Sequence, residues 1–239
     1  MMIKLGACFA AAMIAATGIG FPAPPTAVSS YPAMAPLSAY LMPDRGSEIA
    51  LARSAAPPSV SAGAEILVLG PDGYVTAVPG KNGFTCLVER AWFSGLNDDG
   101  FWNPILRGPD CYNREAARSV LPTYLARTRW VLAGATQSEI RERTRAAMAA
   151  GQIRAPDIGS MNFMLSKQGY LGDRAHGPWH PHLMFYMPPM AMSDWGADLP
   201  GTHVYGAEAG VDPYAMFFVT VAKWSDGTDD HPSGASAAM

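Results

Sequence analysis

Apolar positions along this chain switch between two periods, and the switches mark out the elements. Ser47 caps a helical stretch, Glu48 to Ala56, that Pro57-Pro58 ends. Glu65 to Leu69 is a β-prone apolar run, Gly70-Pro71-Asp72-Gly73 is a turn, and Tyr74 to Val78 alternates. Pro79-Gly80-Lys81-Asn82-Gly83 turns again into Phe84 to Arg90. Three strands joined by short turns predict an antiparallel meander. On the third strand Phe84, Cys86 and Val88 share a face, because side chains alternate along a strand. From Ala91 to Cys111 the chain is too aromatic for a free linker and too broken by Pro and Gly for a helix, so an ordered loop is expected.

A helical section follows. Asn113 caps Arg114 to Val120, Pro122 kinks that helix or starts a new one, and Thr123 to Leu132 continues to Gly134. Thr136 and Glu139 form a capping box for a helix with Ile140, Thr144, Ala147 and Met148 on one face and Gly151 as its stop. Strand patterns return at Ser160–Ser166, His182–Met187 and Ala215–Ala222. Strands, then helices, then strands predict an α+β fold: a single antiparallel sheet of about six strands with helices packed on one face.

The two ends read differently. One positive charge, Lys4, precedes an apolar run from Leu5 to Phe21, the pattern of a secretory signal. The run is mostly Ala and Gly, which argues against a membrane anchor, and Cys8 lies too early for a lipoprotein box. The expected organisation is a signal peptide over 1–27, a Pro-rich linker over 28–46, one globular domain over 47–228 and a flexible tail over 229–239. The protein is expected to be exported, periplasmic or extracellular, with no transmembrane segment after the signal is removed.

Export changes the reading of the cysteines. Cys8 leaves with the signal, and Cys86 and Cys111 remain in an oxidising compartment. A disulfide is the expected pairing, with two buried free thiols as the alternative. The bridge closes a loop of about 25 residues, worth roughly 3.5 kcal/mol in the chain-entropy model. The whole chain has 17 Lys+Arg against 20 Asp+Glu, and loss of Lys4 makes it more acidic still. That sign excludes general nucleic-acid binding. Against this background, Asn113 to Arg154 is locally basic, with eight arginines against three glutamates. Arg118, Arg141 and Arg145 are the candidates for an anionic-partner surface, such as an envelope component; a solvated helix face with i,i+4 pairs is the alternative.

Candidate chemistry centres on the histidines. His176, His180 and His182 lie close together, and His180 and His182 share a face if the chain is extended. They are candidate zinc ligands, with His203, Asp173 or Asp194 as further donors. No cofactor at all is the favoured expectation, and zinc the alternative. A metal-free route uses His180 or His182 as general base beside Ser166, Lys167 or Tyr170, but no Gly-x-Ser-x-Gly elbow is present. Trp179, Phe185, Tyr186 and Trp195 are candidates to line a pocket for a ring-shaped ligand, sugar or haem, or else belong to the core.

The segments Asn82-Gly83-Phe84 through Cys86-Leu87-Val88, Phe101-Trp102-Asn103-Pro104, Ser166 to Leu171, Trp179 to Phe185 and Lys223 to Gly227 resemble those of an uncharacterised family of exported bacterial proteins. The resemblance implies export and a single domain over roughly residues 48–228. It carries no activity, ligand or site residue. Two functions follow: a non-catalytic exported domain that binds a ligand or envelope component, or a small hydrolase centred on His180 and His182.

Overall fold

The computed structural model describes residues 31–169, 180–208 and 210–230. The expected signal peptide, His176, Asp173, Tyr170, Trp179 and the end of the tail lie outside the described residues. The order is α1 (Arg45–Arg53), α2 (Pro58–Ser61), β1 (Glu65–Gly70), β2 (Gly73–Val78), β3 (Thr85–Glu89), β4 (Gly108–Tyr112), α3 (Arg114–Ser119), α4 (Leu121–Leu132), α5 (Gln137–Ala149), β5 (Met161–Met164), β6 (His182–Met187), β7 (Val204–Glu208) and β8 (Ala215–Thr220). The eight strands form one mixed sheet in the order β2-β1-β3-β4-β5-β6-β8-β7. Every pairing is antiparallel except β1 with β3.

This keeps the α+β class and corrects the expected sheet in three respects: it has eight strands, it is mixed, and helices cover both faces. The meander failed because β1 takes the central place expected for β2. β1 is buried through its middle, so it needs partners on both sides, whereas β2 carries exposed positions and lies at the edge. To reach the far side of β1, the chain crosses close to its start. A β-carbon at Gly80 would lie 2.5 Å from the Glu65 amide nitrogen, so only glycine fits that crossing. Lys81 N–H then donates to Gly63 O, and Glu65 N–H to Phe84 O.

β4 lies at the end of the stretch expected to be a loop. Its sequence, Gly-Pro-Asp-Cys-Tyr, has no strand pattern, yet all five residues are buried. It is held by pairing along the whole of β3, where Cys86 and Cys111 stand opposite each other and are joined by the disulfide. The bridge therefore links neighbouring strands at the sheet centre. β7 also went unseen; it is a short edge strand on β8.

The alternation within strands sorts the core into two layers. Ile66, Cys86, Val88 and Cys111 face α1, meeting Leu51, Ala52, Ala55 and Ala56. Leu67, Leu69, Leu87, Tyr112, Met164 and Met184 face the other way, into the larger cluster with α3, α4 and α5. Here Phe93 stacks on Tyr124 at 4.6 Å, and the Trp92 indole N–H donates to Thr128 Oγ1 at 2.9 Å. The expected capping box on α5 is present, and Ile140, Thr144 and Ala147 are buried. Pro122 starts α4 as a separate helix, a position where its missing N–H is not needed. α1 is capped by Asp44, three residues ahead of the expected Ser47, whose amide donates to the Asp44 carboxylate at 2.8 Å.

Packing begins before residue 47. Tyr40 is fully buried; its hydroxyl donates to Trp102 O at 2.8 Å and its carbonyl accepts from Arg90 Nε at 2.6 Å. Arg90 also pairs with Glu48 at 2.9 Å, both buried, which pins α1 to the sheet. No helix among the described residues is long and apolar enough to cross a membrane.

Candidate ligand-binding cleft

The cleft is built where β6, β8 and β7 end together. Pro181, just before β6, removes one donor from the ladder, and its carbonyl takes the Val221 N–H at 2.9 Å. The Thr220 N–H donates to His203 O at 3.3 Å, which brings His203 alongside. Beyond β8 the chain turns back on itself. Trp224 N–H donates to Thr228 O, Gly227 takes a positive φ of 83°, and Asp230 N–H returns to Ala222 O. Asp226 ties this turn by accepting from the Thr228 hydroxyl and from its N–H at 3.0 Å. Those two bonds, and next Lys167 at 3.0 Å, hold the Asp226 carboxyl down at about 2.

The result is an open cavity of about 700 Å³ lined by His180, His203, Tyr205, Thr220, Asp229 and Asp230. His180 Nδ1 lies 2.6 Å from Asp230 Oδ2, with the imidazole partly exposed and the carboxylate nearly buried. Asp229 pairs with Lys223 at 2.8 Å on the rim. Tyr205, cross-strand partner of Phe218, presents a half-exposed ring from the edge strand.

The structure places His180 and His203 in the lining of the cleft and leaves His182 out of it. Strand alternation turns His182 into the core, where its ring meets Phe218 edge-on at 5.7 Å. Its Nδ1 is 2.8 Å from the His180 carbonyl, a contact that sets Nδ1–H as the donor. Burial pushes this imidazole below its ordinary range, so it is neutral at pH 7. Ser166 is fully buried and lies at the end of α1: its hydroxyl is 2.6 Å from Ser54 Oγ and accepts the Gln168 N–H. Ser54 in turn donates to Leu51 O, so this pair closes a turn. Lys167 is engaged with Asp226, and Asp194 is exposed on a 3-10 turn outside the cleft. Of the aromatic residues, Tyr186 belongs to the main core, while Phe185 and Trp195 pack on the opposite face of the sheet. Among the described residues, no group of three or more His, Cys, Asp or Glu side chains is placed to hold a metal ion.

Four of the eight arginines in the basic stretch, Arg118, Arg127, Arg141 and Arg154, have side-chain partners. Arg118 and Arg154 share Asp157, and Arg141 donates to Asn97. Arg145 is exposed on α5. Arg127 is buried and donates to Asp212, Trp92 O and Ser94 O, so it is no part of a surface.

Two features escaped the sequence reading. One is Asp230, in a stretch expected to be a tail. The other is a buried acid pair under α4. Glu89 accepts from the Tyr112 hydroxyl at 3.0 Å, and Asp110 from the Asn162 amide at 2.7 Å, which also donates to Tyr186 Oη. Burial first, and then the neighbouring Glu89, push Asp110 well above the usual carboxylate range; burial also raises Glu89. A charged residue inside each of two strands was the available signal.

No protein-family model, curated protein or solved structure matches this chain.

Proposed function

We propose that this is an exported binding domain whose cleft takes a polar, ring-bearing ligand such as an envelope saccharide. The observation that carries the reading is the cavity itself, lined by Tyr205, His203 and His180 together with Asp229 and Asp230. Ring faces give a stacking platform, and carboxylates accept hydroxyl protons, which is the chemistry a sugar needs. The disulfide and the absence of a membrane-spanning helix among the described residues are compatible with export. The hydrolase reading has one favourable observation, the His180–Asp230 contact, in which a carboxylate orients an imidazole. His182 and Ser166, two of the residues that reading called on, are buried.

The test is an NMR titration of the full-length domain with a panel of envelope saccharides. Shifts confined to the cleft residues, weakened tenfold or more in Tyr205→Ala, support the proposal. Tyr205 is half exposed on an edge strand, so its loss should leave the urea midpoint nearly unchanged. Saccharides that shift nothing, or equal binding by the variant, overturn it. Hydrolysis of a bound glycan that is lost in His180→Ala would favour the enzyme.

A further inference from the structure

β2 and β7 are the two edges of the sheet, and they are finished differently. At β7 outward groups are taken up: Val204 O accepts from the Asp198 N–H at 2.9 Å, and the Gly206 N–H donates to the Asp198 carboxylate at 3.2 Å. β2 is left open. The two-residue turn Pro71-Asp72 closes on the Gly70–Gly73 pair, which makes the next pair, Leu69 and Tyr74, non-hydrogen-bonded. The Leu69 N–H accordingly points away from β2 and donates to Glu48 Oε1 at 3.1 Å. Alternation then turns the N–H and C=O of Tyr74 and Thr76 outward. The Arg45 guanidinium donates to Thr76 O at 3.3 Å from that side. Among the described residues, no side chain or loop bonds the Tyr74 or Thr76 N–H.

The strand itself, Gly-Tyr-Val-Thr-Ala-Val, carries none of the charges or prolines that blunt an edge. Between it and the start of α1 lies a cavity of about 280 Å³, with Leu41, Met42, Arg45, Val68 and Val75 in its lining; Leu41 and Val75 are exposed. The two acids of that lining are engaged: Asp44 caps α1 through Ser47, and Glu48 pairs with Arg90. Arg45 is exposed and pairs with no carboxylate among the described residues. We propose that β2 is a docking edge for an extended peptide segment of a partner protein, one with an acidic side chain among apolar ones. The peptide adds a strand outside β2. Its backbone pairs with Tyr74 and Thr76, its apolar side chains meet Val75 and Leu41, and its carboxylate meets Arg45. A second copy of this chain suits the edge less well, because β2 holds no acidic residue to offer Arg45. The surface lies at the other edge of the sheet from the cleft and does not depend on its ligand.

The experiment is an NMR titration of the full-length, disulfide-intact protein with blocked hexapeptides of alternating valine and threonine. One glutamate is stepped through the positions, and matched peptides carry lysine there instead. In the free protein the Tyr74 and Thr76 amides should exchange rapidly with solvent. Saturation with the best glutamate peptide should slow both at least tenfold, and the lysine peptide should bind at least tenfold more weakly. That preference should vanish in Arg45→Gln, whose urea midpoint should be nearly that of the wild type, because the residue is exposed. Thr76→Pro removes one outward donor at a place where an edge strand tolerates proline, and it should weaken binding at least tenfold. Peptides that leave both amides unprotected, or a charge preference that survives Arg45→Gln, overturn the proposal. So do Tyr74 and Thr76 amides already protected in the dilute protein, which would assign the edge to another segment of this chain. Protection that rises with protein concentration alone also overturns it, and would assign the edge to a second copy.

Discussion

Replacing Asp110 with Asn should change how stability depends on pH. Glu89 and Asp110 are both buried, and the partners they have are neutral: Tyr112 from β4 and Asn162 from β5, with the Tyr186 and Tyr124 phenols beyond. Among the described residues, no cationic side chain bonds either carboxyl. Asp110 Oδ1 has no donor from the rest of the protein, and a proton held by the pair supplies one. The folded state therefore keeps a proton that the unfolded chain releases near pH 4. Its contribution to stability is fully present below that pH and is lost as pH rises through the raised folded value. While the folded pair keeps its proton, each pH unit removes about 1.4 kcal/mol. An amide at position 110 can accept from Asn162 and donate to Glu89, and it removes the titrating carboxyl of Asp110. Urea denaturation of wild type and Asp110→Asn from pH 5 to pH 8 is the assay. The difference in unfolding free energy should move in favour of the variant as pH rises, by at most about 1.4 kcal/mol per unit and only while the folded pair keeps its proton. Parallel profiles for the two proteins would refute the shared proton. Asp110→Ala should be destabilised by about 1–3 kcal/mol at pH 5, because it strands the Asn162 amide and Glu89.

Reduction of the Cys86–Cys111 bridge, or its double replacement by Ala, should lower the unfolding free energy by roughly 3.5 kcal/mol, read as a fall in the urea midpoint. Arg127→Met leaves Asp212 buried without its partner and should cost about 3–5 kcal/mol in the same assay. Thr136→Ala removes the α5 cap and should cost about 1 kcal/mol by thermal or urea unfolding.

Much of the local structure was legible because local chemistry set it. Thr136 and Glu139 cap α5 wherever the helix packs, and Ile140, Thr144 and Ala147 share a face through helical geometry alone. Tyr74 to Val78 read as a strand, and β2 spans Gly73–Val78. The two cysteines paired as their number implied. Strand order was a different matter. Placing β3 parallel to β1 depended on burial of β1 from both sides and on a crossing that Gly80 permits, neither of which is a local property.

The same division holds for the candidate sites. The sequence placed the histidines close together, but only the sheet decided which of them meet. Alternation sent His182 into the core, while hydrogen bonds around Ala222 and His203 gathered His180, His203 and Asp230 from three separated segments. β4 shows the principle most directly. Gly-Pro-Asp-Cys-Tyr has low strand propensity, and it is a central strand because β3 and β5 satisfy its backbone and the disulfide holds it there. Sequence alone therefore determined the elements whose hydrogen bonds close within a few residues. Tertiary structure determined those whose backbone and side-chain partners lie far along the chain.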